Sequence, residues 1–193
     1  MAPRFAGVIL AGGRGERFGM PKALATLPDS RSFLAACADC LAAAGAAPLV
    51  ATLPPGVAAP PLPALMTVQL PTAGLAMFDS LRLALARALE DAGWTAAVIL
   101  PVDHPLVRPA TIAALAAADA PAAIPSFAGK HGHPVVLARA VAAGIAAGEL
   151  AGPTLRDVLH RLAVEVVPVP DPGVTANCNT PDALRAALAR AAG

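Results

Sequence analysis

The run Phe5–Leu10, FAGVIL, carries no polar side chain at any position. Successive side chains of a strand point to opposite faces, so such a strand must be covered on both sides. That confines the chain to folds in which this strand is buried inside a sheet covered on both faces. The run then breaks into Gly12, Gly13, Gly15 and Gly19, with Arg14 and Arg17 between them, and ends at Pro21 and Lys22. Glycines let backbone N–H groups approach a ligand closely, and the cations neutralise its charge. A buried strand followed by such a loop is a way to cradle phosphate.

The rest of the chain alternates in the same manner. Strands are expected at 48–53, 65–70, 96–100, 122–125, 135–137 and 164–169, and helices at 32–44, 78–92, 110–118, 138–147, 154–162 and 182–192. The helix at 78–92 has Asp79 or Ser80 near its N-terminus, and Pro109 opens the next one. Residues 54–63 are proline-rich and read as a surface loop, 71–74 as a turn, and 126–133 as a polar loop. Strands alternating with helices mean an α/β fold with a mostly parallel sheet. The 193 residues fit one domain spanning 1–193.

Net charge is +1 and only 14% of residues are charged, with no basic tail or Lys/Arg-rich helix, so no nucleic-acid partner is expected. The long apolar stretch 33–53 contains Asp39, Gly45 and Pro48 and is rich in alanine, which argues against a membrane partner. No signal peptide is evident, and a cytoplasmic protein is expected. The three cysteines are an odd count, and Cys37-x-x-Cys40 sits inside a helical pattern without a second pair, so neither disulfides nor zinc is expected.

Sheets of this class bind ligands at the carboxyl ends of their strands. The glycine loop follows one strand, and Asp103 follows another between Pro101 and Pro105. Arg17 and Lys22 are suited to neutralising a triphosphate. A carboxylate in Asp103's position is suited to binding Mg²⁺ through oxygen. His133, in His131-Gly-His133, reads as a pocket-lining residue that caps or touches substrate. Asn179 or Thr180 reads as the cap of the last helix, with Pro181 at its first position; this leaves Asn177 free. The glycine spacing also resembles a dinucleotide fingerprint. The second strand, however, ends in Pro54-Pro55 with no acidic residue for a ribose, and there is no tyrosine. An NAD(P)-dependent oxidoreductase is therefore the weaker reading.

Taken together, Leu10-Ala-Gly-Gly13, Arg17-Phe-Gly19, Pro21-Lys22-Ala-Leu24, Pro101-Val-Asp103-His-Pro105, Gly132-His-Pro134 and Asn179-Thr-Pro181-Asp-Ala-Leu184 resemble the molybdenum cofactor nucleotidyltransferases, the MobA/MocA-like group. The resemblance implies a Rossmann-like three-layer α/β/α fold of the nucleotide-diphospho-sugar transferase type. It implies that Leu10, Ala11, Gly12 and Gly13 meet base and sugar, with Gly15 in the same loop and Gly74 and Ser80 near the base. Arg17 and Lys22 would hold the triphosphate, and Asp103 with Asn179 would hold Mg²⁺. His133 and Asn177 would meet the acceptor. The implied reaction is transfer of a nucleotide from CTP or GTP to molybdopterin or its molybdenum-loaded form, with release of pyrophosphate. A molybdoenzyme or cofactor-insertion protein is the implied protein partner. Gly13 and the Asn177-x-Asn179-Thr-Pro181 ending resemble the guanylyl-transferring branch, whereas Pro21-Lys22 and Gly132-His-Pro134 resemble the cytidylyl-transferring one. The asparagine pair also motivates an alternative, a nucleotide-binding regulatory or chaperone-like module without catalysis.

Overall fold

A computed structural model of the chain describes residues 4–13, 15 and 18–192. Its strands are β1 (Phe5–Leu10), β2 (Leu49–Leu53), β3 (Leu65–Gln69), β4 (Ala96–Pro101), β5 (Ala122–Phe127), β6 (Lys130–His131), β7 (Val135–Ala138) and β8 (Val164–Pro168). Its helices are α1 (Phe33–Ala43), α2 (Met77–Ala88), α3 (Pro109–Ala116), α4 (Arg139–Ala147), α5 (Leu155–Leu159) and α6 (Pro181–Ala192), with 3-10 turns at Lys22–Leu24 and Pro172–Thr175. One sheet runs in the order β3-β2-β1-β4-β7-β5-β6, and β8 pairs with β5. The pairs β1–β2, β2–β3, β1–β4 and β5–β8 are parallel, and β7 is antiparallel to both β4 and β5.

Period-two alternation assigns each residue of the central strands to one of two cores. Ile9, Ala51, Val98 and Leu100 belong to the first, together with Phe33, Leu34 and Leu41 of α1, Ile112 and Leu115 of α3, and Leu184 of α6. Val8, Val50, Ala97 and Ile99 belong to the second, with Phe78, Leu81 and Leu85 of α2, Val141 and Ile145 of α4, and Val158 of α5. Each fully buried Leu, Ile or Phe contributes roughly 1.5–3 kcal/mol, and the many alanines contribute much less. The largest buried side chain, Trp94, donates its indole N–H to the Ala88 carbonyl at 2.9 Å and lies under the Arg139 guanidinium.

Several boundaries differ from the sequence expectation. Helix α2 ends at Ala88 rather than residue 92, because the Trp94 indole bonds the carbonyl there. It begins at Met77 with Ala76 as N-cap, and Asp79 lies in its first turn, near the N-terminus as expected. Helix α5 stops at Leu159, one turn into a segment expected to be helical to 162, and a capping box of Thr154 and Asp157 fixes its start. Residues 126–133 are not simply a loop. Ser126 and Phe127 extend β5 and pair with β6 across Ala128-Gly129, both of which have positive φ. The three cysteines are free and buried, and burial raises the thiol pKa of each, that of Cys40 to about 12. No helix among the described residues is long and apolar enough to cross a membrane.

Candidate active site

Strands β2 and β3 lie on one side of β1 and β4 lies on the other, so the strand order reverses between β1 and β4. Leu10 pairs with Pro101 at the carboxyl ends of these two strands, and the Val102 N–H donates to the Leu10 carbonyl at 3.1 Å. The glycine loop and the Asp103 loop therefore leave the sheet side by side, at the crevice where α/β sheets take ligands. A cleft of about 280 Å³ opens there, lined by residues that include Gly12, Gly13, Lys22, Ser80, Asp103, His104, His133 and Asn177.

The glycine loop is folded back tightly. Gly15 has φ +67°, its carbonyl accepts from the Phe18 N–H at 2.8 Å, and a Cβ on it would lie 1.9 Å from the Met20 carbonyl oxygen. Only glycine fits here, and the close return brings the Lys22–Leu24 turn to the cleft. Phe18 anchors the loop edge-on against Phe33 at 5.7 Å. Closer to the sheet, the Ala11 N–H donates to the buried Thr52 hydroxyl at 3.3 Å. Gly12 lies against Leu70, and Gly13 faces open space.

Lys22 is the hinge of the site. Its Nζ lies 3.5 Å from the Asp103 carboxylate and donates to the side-chain oxygen of Asn179. The cap of α6 is Thr180, whose hydroxyl accepts from the Ala183 N–H at 3.1 Å, so Asn179 is left to face the lysine. The segment 171–180 ties the parts together. The Cys178 N–H donates to the Asp103 carbonyl at 2.8 Å, and the His133 N–H donates to the Val174 carbonyl at 2.9 Å. Buried Asp171 fixes that segment to the start of α3, accepting from the Thr111 hydroxyl (2.7 Å), the Arg108 N–H (2.9 Å) and the Gly173 N–H (2.9 Å).

Two imidazoles complete the wall. The rings of His104 and His133 are 4.7 Å apart and tilted by 56°. His104 Nδ1 is 3.5 Å from the Gly173 carbonyl, and its Nε2 is 3.9 Å from Asp103. Burial lowers the pKa of His104, partly opposed by Asp103. Burial, and then the neighbouring His104, lower His133 to about 4. Both rings are thus held neutral near pH 7. His133 Nδ1 is buried and has no hydrogen-bond partner among the described residues. Sequence reasoning missed His104; its place directly after Asp103 was the available signal.

The remaining expected residues fall as follows. Ser80 lines the cleft, but its hydroxyl donates to the Ala76 carbonyl at 3.1 Å. Gly74 is not among the lining residues, whereas Leu75 is. Asn177 lines the cleft, and Arg17 lies outside the described residues. Asp103 and Asn179 both offer hard oxygen donors of the kind that hold a divalent cation, and in this structure both face the Lys22 ammonium. No group of three or more His, Cys, Asp or Glu among the described residues forms a metal cage.

Comparison with known proteins gives the family and the fold. The family model described as the MobA-like NTP transferase domain matches residues 7–173. The crystal structure of Rv0371c from Mycobacterium tuberculosis H37Rv is 31% identical, with a TM-score of 0.81 over 98% of this chain and all of that one. A complex of Rv0371c with manganese is 28% identical, with a TM-score of 0.76 over 97% of this chain and 98% of that one. The molybdopterin-guanine dinucleotide biosynthesis protein A of Archaeoglobus fulgidus shares the fold, at 20% identity and a TM-score of 0.67 over 97% of this chain and 98% of that one. No curated protein matches by sequence.

Proposed function

This chain belongs to the MobA-like NTP transferase domain family, and we propose that it transfers a nucleotide from CTP or GTP to a phosphate monoester of the molybdopterin type, releasing pyrophosphate. The observation that carries this reading is the cluster of Lys22, Asp103 and Asn179 beside the glycine loop. It joins a positive charge to hard oxygen donors at the point where a triphosphate would enter.

In the transfer, an oxygen of the acceptor phosphate forms a bond to the α-phosphorus of the nucleoside triphosphate. The bond from that phosphorus to the bridging oxygen breaks, and the electron pair leaves with pyrophosphate. The nucleophile is already an anion, so the site needs positioning and charge stabilisation rather than a strong base. The backbone at Gly12 and Gly13 would lie against base and sugar. Lys22, with Arg17, would balance the charge that grows on the departing pyrophosphate. Asp103 and Asn179 would hold Mg²⁺, which when bound supplies Lewis-acid neutralisation of the phosphate oxygens. The neutral rings of His104 and His133 let the wall hydrogen-bond an acceptor phosphate, with Asn177 as a further donor.

The test is pyrophosphate release from each of the four nucleoside triphosphates with Mg²⁺, in the presence and absence of molybdopterin. Release that requires molybdopterin and is largest with CTP or GTP supports the reading. A thermal shift with a triphosphate but no pyrophosphate from any combination refutes it in favour of a catalytically silent module.

A further inference from the structure

Strand β3 ends the sheet and pairs with β2 on one side only. The Leu70 N–H donates to the Leu53 carbonyl at 2.9 Å, and the backbone polar groups of successive strand residues point to opposite sides. Met66, Val68 and Leu70 therefore turn theirs to β2, and Leu65, Thr67 and Gln69 turn theirs outward. The Leu65 N–H is taken by the Leu62 carbonyl at 3.3 Å. The N–H and C=O of Thr67 and Gln69, and the C=O of Leu65, have no backbone partner among the described residues. The Gln69 side chain does not close the edge, because its amide donates to the Val57 carbonyl at 2.8 Å.

Such an edge is a template for a further strand, and proteins blunt it with charge or proline. Strand β8, which pairs with β5 alone, is blunted in this way by Glu165 and Pro168. Strand β3, LMTVQ, carries neither. The absence of charge extends well past it. Between Asp39 and Asp79, residues 40–78 include no Asp, Glu, Lys, Arg or His, in a chain of which 14% is charged. That stretch contains β2, β3 and the connections on either side of them, so the segments around the open edge are neutral throughout.

We propose that β3 pairs antiparallel with β3 of a second copy of this chain, across a two-fold axis through Thr67, and joins the two sheets into one. The register follows from the groups left open. Each Thr67 N–H donates to the partner's Thr67 carbonyl, and each Gln69 N–H donates to the partner's Leu65 carbonyl. A slip of one residue would set these groups against ones already turned to β2. The same register places Met66 opposite the partner's Val68 on the face covered by α2, where both side chains are only partly buried against the second core. It places Thr67 opposite the partner's Thr67 on the other face, a favourable cross-strand pair. A second copy is the occupant because a neutral flank brings no like charges together when it meets itself, and offers no charge by which a different protein would be selected. The nucleotide clefts, at the carboxyl ends of antiparallel strands, then open toward opposite ends of the joined sheet, and the pairing does not depend on the transferase reading.

Sedimentation equilibrium of the full chain from low to high micromolar concentration, with backbone hydrogen exchange at both ends of that range, tests the assignment. The wild type is expected to reach twice the chain mass, with the Thr67 and Gln69 amides protected at high concentration and exchanging freely on dilution. Thr67→Pro deletes an outward N–H without breaking a bond to β2, and should weaken the dimer at least about tenfold. Thr67→Lys changes an exposed side chain and so spares the fold. It sets two ammonium groups opposite each other, and should weaken the dimer in low salt and restore part of the loss in high salt. A chain that stays monomeric throughout overturns the proposal. So does a dimer whose Thr67 and Gln69 amides exchange as freely as in the monomer, or one indifferent to both Thr67→Pro and Thr67→Lys.

Discussion

Replacing Gly15 and Gly19 one at a time by alanine separates two costs that the loop imposes. Both glycines lie in the left-handed region, at φ +67° and +70°. An alanine there costs about 1–2 kcal/mol. At Gly19 that is the whole cost, since nothing stands within 4 Å of the added methyl. At Gly15 the methyl would lie 1.9 Å from the Met20 carbonyl oxygen and 2.9 Å from the Lys22 nitrogen, both backbone atoms that cannot rotate away. An ordinary C···O contact needs about 3.3 Å, so the two segments must separate by roughly 1.4 Å. Overpacking of this kind costs about a further 1–3 kcal/mol. The loop lies at the surface and relieves the strain by moving off the Met20–Lys22 segment, which takes Lys22 out of register with the cleft. Calorimetric titration with a nucleoside triphosphate and Mg²⁺ is the assay. Gly15→Ala should lose at least about tenfold more affinity than Gly19→Ala, tenfold being 1.4 kcal/mol. Equal losses would show that the close return of the loop onto Lys22 does not position the lysine.

The remaining expectations concern the wall and its anchor. His133 has its pKa lowered from 6.5 to about 4 by burial. Its contribution is therefore fully present above pH 6.5, where both states are neutral, and is lost as pH falls toward 4 because the unfolded chain takes up the proton first. Between pH 7 and pH 5 this removes about 2 kcal/mol, which urea unfolding of the wild type against His133→Gln should reveal as a shallower acid limb in the variant. His104 acts in the same direction, so the double variant should be shallower still. Asp171→Ala leaves the Thr111 hydroxyl and two backbone N–H groups without their acceptor, and should destabilise the chain by about 3 kcal/mol or more in the same unfolding assay. A loss under about 1 kcal/mol would mean that the 171–180 segment is held by something else.

The central half of the fold could be read from the sequence because its signals were local and redundant. Phe5–Leu10 is apolar on both faces and is β1 to the residue, and Ser32 caps α1 where an alanine-rich pattern begins. What was misread depended on contacts distant in sequence. Nothing near Ala88 announces that Trp94 will take its carbonyl and end α2 early. The β5–β6 hairpin escaped notice because its strands are very short and its turn, Ala128-Gly129, puts an alanine at φ +49°, where glycine or asparagine is usual. The site was legible in its residue types but not in its connections. The resemblance paired Asp103 with Asn179 and set Lys22 apart on the triphosphate, whereas the Lys22 bridge between Asp103 and Asn179 follows only from Gly15 folding the loop back and Cys178 tying the 171–180 segment to Asp103. His104 was passed over because a histidine next to a metal-type aspartate carries no pattern of its own until its ring is seen against His133.

The central claim is that nucleotidyl transfer occurs at the cluster of Lys22, Asp103 and Asn179. The most direct measurement follows the α-phosphorus of a radiolabelled triphosphate into the acceptor, with wild type and Asp103→Ala side by side and folding checked by circular dichroism. The account predicts label in the acceptor and stoichiometric pyrophosphate with wild type, and a rate at least about a thousandfold lower in the variant, corresponding to about 4 kcal/mol of lost transition-state stabilisation. Label transferred equally well by Asp103→Ala, or triphosphate bound by wild type with no label transferred to any acceptor, would contradict it.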